Sequence, residues 1–294
     1  MREYQKISGF ADEIDQNLTV QIESLNKLGI RFVEMRGVDG QNLIYHSDEK
    51  VTEIKNRLDE AGIRLSAIGS PLGKIGIDED FEPHFEAFKR AVEIAHRMDV
   101  RNIRMFSFYV PWQEMLANPG CKENVKERVM GRIGRFVSYA AAEDVVLLHE
   151  NEKGIYGEKA PECKELMDAY AGEHFKAIFD FANFVQAGQD TLAAYELLKD
   201  HIAYIHVKDA LSENGQVVPA GYGDGNVEVI LRKLFGRGFD GFLSLEPHLF
   251  DFTGFAGLER GASKIETAPG KVLSGYEAFA LAHSSLLKVL ESVG

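Results

Sequence analysis

The chain has 294 residues, 45% hydrophobic and 27% charged, with a formal net charge of -13 and a sequence pI near 5.2. That composition suits a globular protein with a large core, and its acidity removes the electrostatic attraction that nucleic-acid binding depends on. With no basic run, no secretion-type apolar run in MREYQKISGF and no CxxC pair between Cys121 and Cys163, a cytoplasmic location is expected, with neither membrane nor nucleic acid as partner.

Apolar, β-rich runs alternate with amphipathic stretches from end to end. Strands are expected at 7–13, 30–38, 63–71, 101–109, 145–150, 176–184, 202–210 and 241–249. Helices are expected at 16–28, 48–61, 80–98, 122–142, 160–171, 190–200, 226–237 and 273–292. In VTEIKNRLDEAGI, Val51, Ile54, Leu58 and Ile63 follow helical spacing while charges take the other face. Gly29, Gly62 and Gly238 stand where a left-handed residue ends a helix. Eight such alternations imply a parallel sheet, and eight units close into a barrel of roughly 250 residues. An open doubly wound sheet is the alternative, but GFADEID after the first strand lacks its glycine-rich turn. No linker or charge block divides the chain. The expectation is one (β/α)8 TIM barrel domain over residues 1–294.

Four polar residues recur where a strand gives way to a loop: Glu150 in VVLLHEN, Asp180 in KAIFDFANF, His206 in IAYIHVKDA and Glu246 in GFLSLEPHL. Their positions differ by 30, 26 and 40 residues, one βα unit each, the last enlarged by a glycine-rich loop. Singly, each has an ordinary reading as a cap, a turn residue or a core histidine. Together, at the carboxyl ends of strands five to eight, they form a hard oxygen and nitrogen set suited to one divalent ion: Mn²⁺, Mg²⁺, Co²⁺ or Zn²⁺.

HEN at 149–151, FDFAN at 179–183, HVKDA at 206–210, GYGDGNVEVILRKL at 221–234 and SLEPHL at 244–249 resemble the xylose isomerase-like barrels, in particular the sugar phosphate isomerase/epimerase group. The resemblance covers essentially the whole chain. It implies that Glu150, Asp180, His206 and Glu246 hold one metal, and that Glu150 and Glu246 serve as acid and base on opposite faces of a bound sugar. An ion on neighbouring carbonyl and hydroxyl oxygens lowers the cost of an enediolate, and the two carboxylates move the proton. Isomerisation, epimerisation and loss of a β-hydroxyl all share that intermediate.

The chain departs from the ketose 3-epimerases at three substrate contacts. Asn183 replaces a histidine, Ser212 an arginine and Tyr156 a glutamate, so the resemblance does not carry ketohexose specificity over. HVKDA is similar to the matching strand of inosose dehydratase, which makes dehydration of a keto-polyol the alternative. A three-zinc DNA-repair site of the endonuclease IV kind lacks its histidines here: Ser70–Pro71, Ser107–Phe108, Asn183 and Gly223–Asp224–Gly225 stand in their places. A silent sugar-binding barrel would not require the two glutamates.

Asn183, Lys208, His248 and Trp112 are expected substrate contacts. Lys208 shares the parity of His206 and reads as a substrate contact or a surface lysine. His248 shares that of Glu246 and is either part of the site or solvent-facing. Trp112 is a wall over the sugar or a packed loop aromatic. Glu34 and Arg36 line the mouth or pair with each other, and Glu13 is read as structural. No arginine cluster marks a phosphate clamp, which points to an unphosphorylated polyol or keto-sugar as partner. The long stretch at 251–272, with Phe252, Phe255 and Leu258, suggests a lid or a homo-oligomer contact.

Overall fold

The structure, a computed structural model, describes residues 6–249 and 273–294. Eight strands form one sheet: β1 (Ile7–Gly9), β2 (Phe32–Met35), β3 (Arg64–Ile68), β4 (Asn102–Met105), β5 (Val146–Glu150), β6 (Phe175–Asp180), β7 (Ile202–Val207) and β8 (Phe242–Leu245). Each pairs in parallel with its neighbour, from β2 through β8 and on to β1. β1 and β2 lie alongside each other and bring the ring nearly to closure. The open-sheet alternative is thereby removed.

Eight helices follow the strands: α1 (Leu18–Lys27), α2 (Asp48–Glu60), α3 (Glu82–Arg97), α4 (Pro119–Ala142), α5 (Ala160–Tyr170), α6 (Thr191–Leu198), α7 (Val227–Gly236) and α8 (Gly275–Val293). Local chemistry sets their ends. Asn17 and Ser47 accept first-turn N–H groups of α1 and α2, and Ser274 with Glu277 makes a capping box on α8. Gly29, Gly62 and Gly238 adopt positive φ after α1, α2 and α7, the conformation a side chain resists.

The strands are shorter than the apolar runs that announced them, because several runs turn into helix at the mouth. Residues Ala11–Glu13 form a 3₁₀ turn, and Phe181–Gln186 is a short helix started by Asp180, whose Oδ1 accepts from Asn183 N at 2.8 Å. A further short helix, Trp112–Ala117, precedes α4, and α4 itself begins at Pro119, a residue preorganised for the first helical position.

Strand alternation separates two apolar compartments. One side of each strand packs beneath the helices in the main core. The other faces the lumen, where Ala67, Val146, Leu148, Ile178 and Tyr204 form a separate cluster against Phe242. Above it lies a polar layer in which Ser8 Oγ meets Ser66 Oγ at 2.6 Å and Ser66 Oγ meets the Tyr204 hydroxyl at 2.8 Å. On β5 the inward residues run Val146, Leu148, Glu150; on β6, Ile178, Asp180; on β7, Tyr204, His206; along and just past β8, Phe242, Ser244, Glu246. Each candidate donor therefore stands on the inward side at the carboxyl end of its strand.

The loop after β3 is fastened to the loop after β4 through Gly73. Its φ is +88°, and a Cβ there would lie 2.0 Å from the Phe106 carbonyl oxygen. Gly73→Ala is expected to destabilise the fold by about 1–3 kcal/mol or more. The readout is a lower denaturant midpoint with an unchanged slope, and an unchanged midpoint would contradict this account.

Candidate metal centre

Glu150, Asp180, His206 and Glu246 are all buried, and one donor atom from each lies within 4.8 Å of the others. His206 Nδ1 is 2.9 Å from Glu150 Oε1, 3.5 Å from Glu246 Oε2 and 3.8 Å from Asp180 Oδ2. Close as it is, Nδ1 has no hydrogen-bond partner, nor has the buried Asp180 Oδ2. Three carboxylate oxygens and an imidazole nitrogen turned on one point, two of them without a hydrogen bond, fit a divalent cation. Lys208 supplies the nearest ammonium, 2.9 Å from Glu246 Oε2 and 3.2 Å from Asp180 Oδ2.

Each carboxylate is steadied from the side. Asn183 Nδ2 donates to Glu150 Oε1 at 3.3 Å and to the Asn151 carbonyl at 2.9 Å. Arg104 Nη1 lies 3.2 Å from the other Glu150 oxygen, Oε2. Arg36 Nη1 lies 3.1 Å from Glu246 Oε1, and its Nε and Nη2 bind both oxygens of Asp12 at 2.8 and 3.1 Å. Both guanidiniums stack on Phe10, 4.4 and 4.8 Å from its ring centre, an arrangement that fixes them in the mouth. His248 Nε2 stands 3.3 Å from Glu13 Oε1 and 3.4 Å from Glu246 Oε1, while its backbone N–H donates to Glu13 Oε2 at 2.8 Å.

These neighbours set the charges. Burial pushes the Glu150 carboxyl up, but His206 and Arg104 pull it down to about 2. Burial is likewise outweighed at Glu246, which Lys208 and His248 hold well below the usual carboxylate range. At Asp180 burial wins, and the group rises to about 7 despite Lys208. His206 goes well above the ordinary imidazole range, because Glu150 and Glu34 outweigh burial. A divalent ion at the same point would take over that positive charge and leave the ring neutral.

Of the expected substrate contacts, Lys208, Asn183 and His248 are buried in the cluster, which removes the surface reading of Lys208 and the solvent-facing reading of His248. Trp112 is half-buried and donates its indole N–H to the Ile155 carbonyl at 3.0 Å; the described contacts do not join it to the four donors. Glu34 and Arg36 both line the lumen but do not pair. Glu34 turns to His206, 3.1 Å away, and Arg36 to Asp12, Glu13 and Glu246. Arg104 was not anticipated, although a charge sharing the inward parity of Asn102 in an apolar strand was the signal. Two arginines therefore reach the mouth, Arg36 as one of its two expected readings and Arg104 unforeseen, and each is tied to a carboxylate rather than gathered into an anion clamp. The segment at 251–272 lies outside the described residues.

Asp209 fastens the glycine-rich loop beside the site. Its oxygens accept the N–H groups of Ala210, Gly221, Gly223 and Gly225 at 2.8–3.1 Å, and a Cβ on Gly223 or Gly225 would come 2.6 Å from Oδ1. Asp209→Ala orphans those donors, so a loss of about 1–3 kcal/mol is expected. Hydrogen exchange across 221–225 should quicken by about tenfold or more; unchanged protection there would show that the loop holds itself.

A family model described as the xylose isomerase-like TIM barrel matches residues 22–265. Among curated protein sequences there is no significant match. Solved structures similar to this one include the IolI protein with a bound zinc atom, at 16% identity and a TM-score of 0.74, covering 98% of this chain and 99% of that one. L-ribulose 3-epimerase is 14% identical, with a TM-score of 0.73 and coverage of 98% and 95%. The probable 3-DHS dehydratase AsbF from Bacillus anthracis is 20% identical, with a TM-score of 0.65 and coverage of 82% and 92%. Identities this low speak for the fold alone. The match across most of its length places the chain in the xylose isomerase-like TIM barrel family.

Proposed function

We propose that residues 1–294 form one barrel domain acting as a divalent-metal-dependent sugar isomerase or epimerase, with Glu150 and Glu246 as the proton-transferring pair. One observation carries this reading: four buried donors from four successive strands turn on a single point, with two donor atoms left without hydrogen bonds. Glu150, Asp180, His206 and Glu246 would hold the ion, which supplies positive charge to stabilise an enediolate when bound. The zinc atom of the IolI barrel is consistent with this, and the choice among Mn, Mg, Co and Zn is left to the experiment.

The chain's own residues supply the rest. Glu150 and Glu246 stand on β5 and just past β8, across the mouth from each other, so one can remove a proton α to a carbonyl and the other return it elsewhere. Arg104 and Arg36 hold their carboxylates in orientation, while His206 with Arg104 keeps Glu150 ionised and Lys208 with His248 does so for Glu246. Asn183 keeps one buried acceptor, Oδ1, without a partner, and that oxygen is assigned to a substrate hydroxyl.

Lys208 favours a second reading, the dehydration of a keto-polyol. A buried ammonium between Asp180 and Glu246 is placed to meet a departing hydroxyl, and a dehydratase stands among the similar folds. A homo-oligomer belongs to the same proposal, and sedimentation at micromolar concentration tests it: a monomer removes it.

The decisive assay is turnover of a panel of keto-sugars and keto-polyols with each metal added to chelator-stripped protein. His206→Ala is expected to lose metal and activity together. Glu150→Gln and Glu246→Gln should keep much of their metal but turn over at least about a hundredfold more slowly, the usual loss for a general acid or base. A metal-replete Glu246→Gln protein with near-normal turnover would overturn the acid–base assignment. Solvent deuterium on a product carbon indicates proton transfer; loss of water from the substrate indicates the second reading.

A further inference from the structure

The fully buried carboxylate of Glu34 has no part in the chemistry above. It comes from β2, which none of the four donors shares and which β1 alone separates from β8 in the ring. Its Oε2 lies 3.1 Å from His206 Nε2 and accepts from Ser244 Oγ at 2.7 Å, while its Oε1 has no hydrogen-bond partner. Leaving one carboxylate oxygen buried and unsatisfied costs free energy. A network needing only to join β2 to β7 and β8 would be served by a neutral amide.

We propose that Glu34 is the positioning residue of the metal centre, fixing His206 with Nε2–H toward itself so that Nδ1 is presented to Glu150, Asp180 and Glu246. This rests on the reading that those four residues hold a divalent cation. Glu34 Oε2 already accepts from Ser244 Oγ, and an Nε2–H turned toward it completes the pairing of that oxygen. The other nitrogen then turns toward the three carboxylate oxygens, the position from which it would ligate an ion held among them. Phe10 and Tyr204 hold the imidazole plane edge-on from two sides, with ring centres 5.2 and 5.8 Å away. With the plane fixed, Glu34 decides which nitrogen faces the ion. A carboxylate behind a ligating histidine also makes it a stronger donor.

The test uses the full chain stripped with chelator and titrated with Co²⁺ against a competing chelator. Glu34→Gln is expected to weaken Co²⁺ binding by about 10–100-fold and to shift the visible Co²⁺ absorption. The stripped variant should melt close to stripped wild type, because the amide keeps the side chain's shape and one acceptor oxygen. Glu34→Asp keeps the charge but withdraws it by one methylene, and is expected to fall between the two. Wild-type affinity with an unshifted spectrum in Glu34→Gln would overturn the proposal. So would a stripped Glu34→Gln protein that melts well below wild type or fails to fold, since that places the residue in the scaffold. If wild type itself does not take up Co²⁺, the metal-centre reading fails and this proposal with it; normal uptake by wild type and by Glu34→Gln alike defeats the role of Glu34 alone.

Discussion

A carboxylate withdrawn from water needs a positive group beside it, and the mouth of this barrel is arranged around that need. Even after relaxation, an unpaired buried ion costs several kcal/mol, and removing one partner of a buried pair typically costs about 3–5 kcal/mol. Glu246 is answered by Arg36, Lys208 and His248, and Glu150 by Arg104 and His206. Arg36 is shared with Asp12 and Glu13, so none of these acids is independent of the others. The network compensates its anions while leaving donor atoms of Asp180 and His206 turned inward without hydrogen bonds.

The lumen is graded to support this arrangement. Val146, Leu148 and Ile178 seal its lower part, where a charge would have no answer. Ser8, Ser66, Ser244 and Tyr204 come next, hydroxyls that satisfy one another or Glu34 without carrying net charge. Only the top layer is ionic. The helix-side core, apolar but for a few paired polar groups such as His149 with Ser107, bears the packing, which leaves the lumen free to be polar.

Much of this was legible in the sequence. The helical spacing of apolar residues gave α1 to α8 nearly to their ends, the recurrence of one polar residue at each strand's carboxyl end brought Glu150, Asp180, His206 and Glu246 together, and alternation added Lys208 and His248. What alternation cannot supply is the partner across the ring. Glu34 and Arg36 share a face two residues apart, which suggested a mutual pair, yet each answers a group arriving from the other half of the chain. Strand ends were also overrun. FDFANF reads as extended from its aromatic content, but Asp180 caps a helix there, and a capping oxygen outweighs weak β-propensity. Trp112 shows a similar limit: a bulky aromatic after a strand does not disclose whether its indole N–H turns to the mouth or, as here, to a neighbouring carbonyl.

The charges of the mouth are gathered from distant parts of the chain. Arg36 and Glu246 are separated by 210 positions, Glu34 and His206 by 172, and Glu13 and His248 by 235. Contacts of such long sequence separation close the largest loops the chain can make and are slow to form. A partly assembled ring holding only β5 to β8 would present clustered acids without Arg36, Arg104 or Phe10 to face them. The ionic top layer is therefore a product of ring closure rather than a nucleus for it, and its mutual attraction is available only to a chain whose two ends have already met.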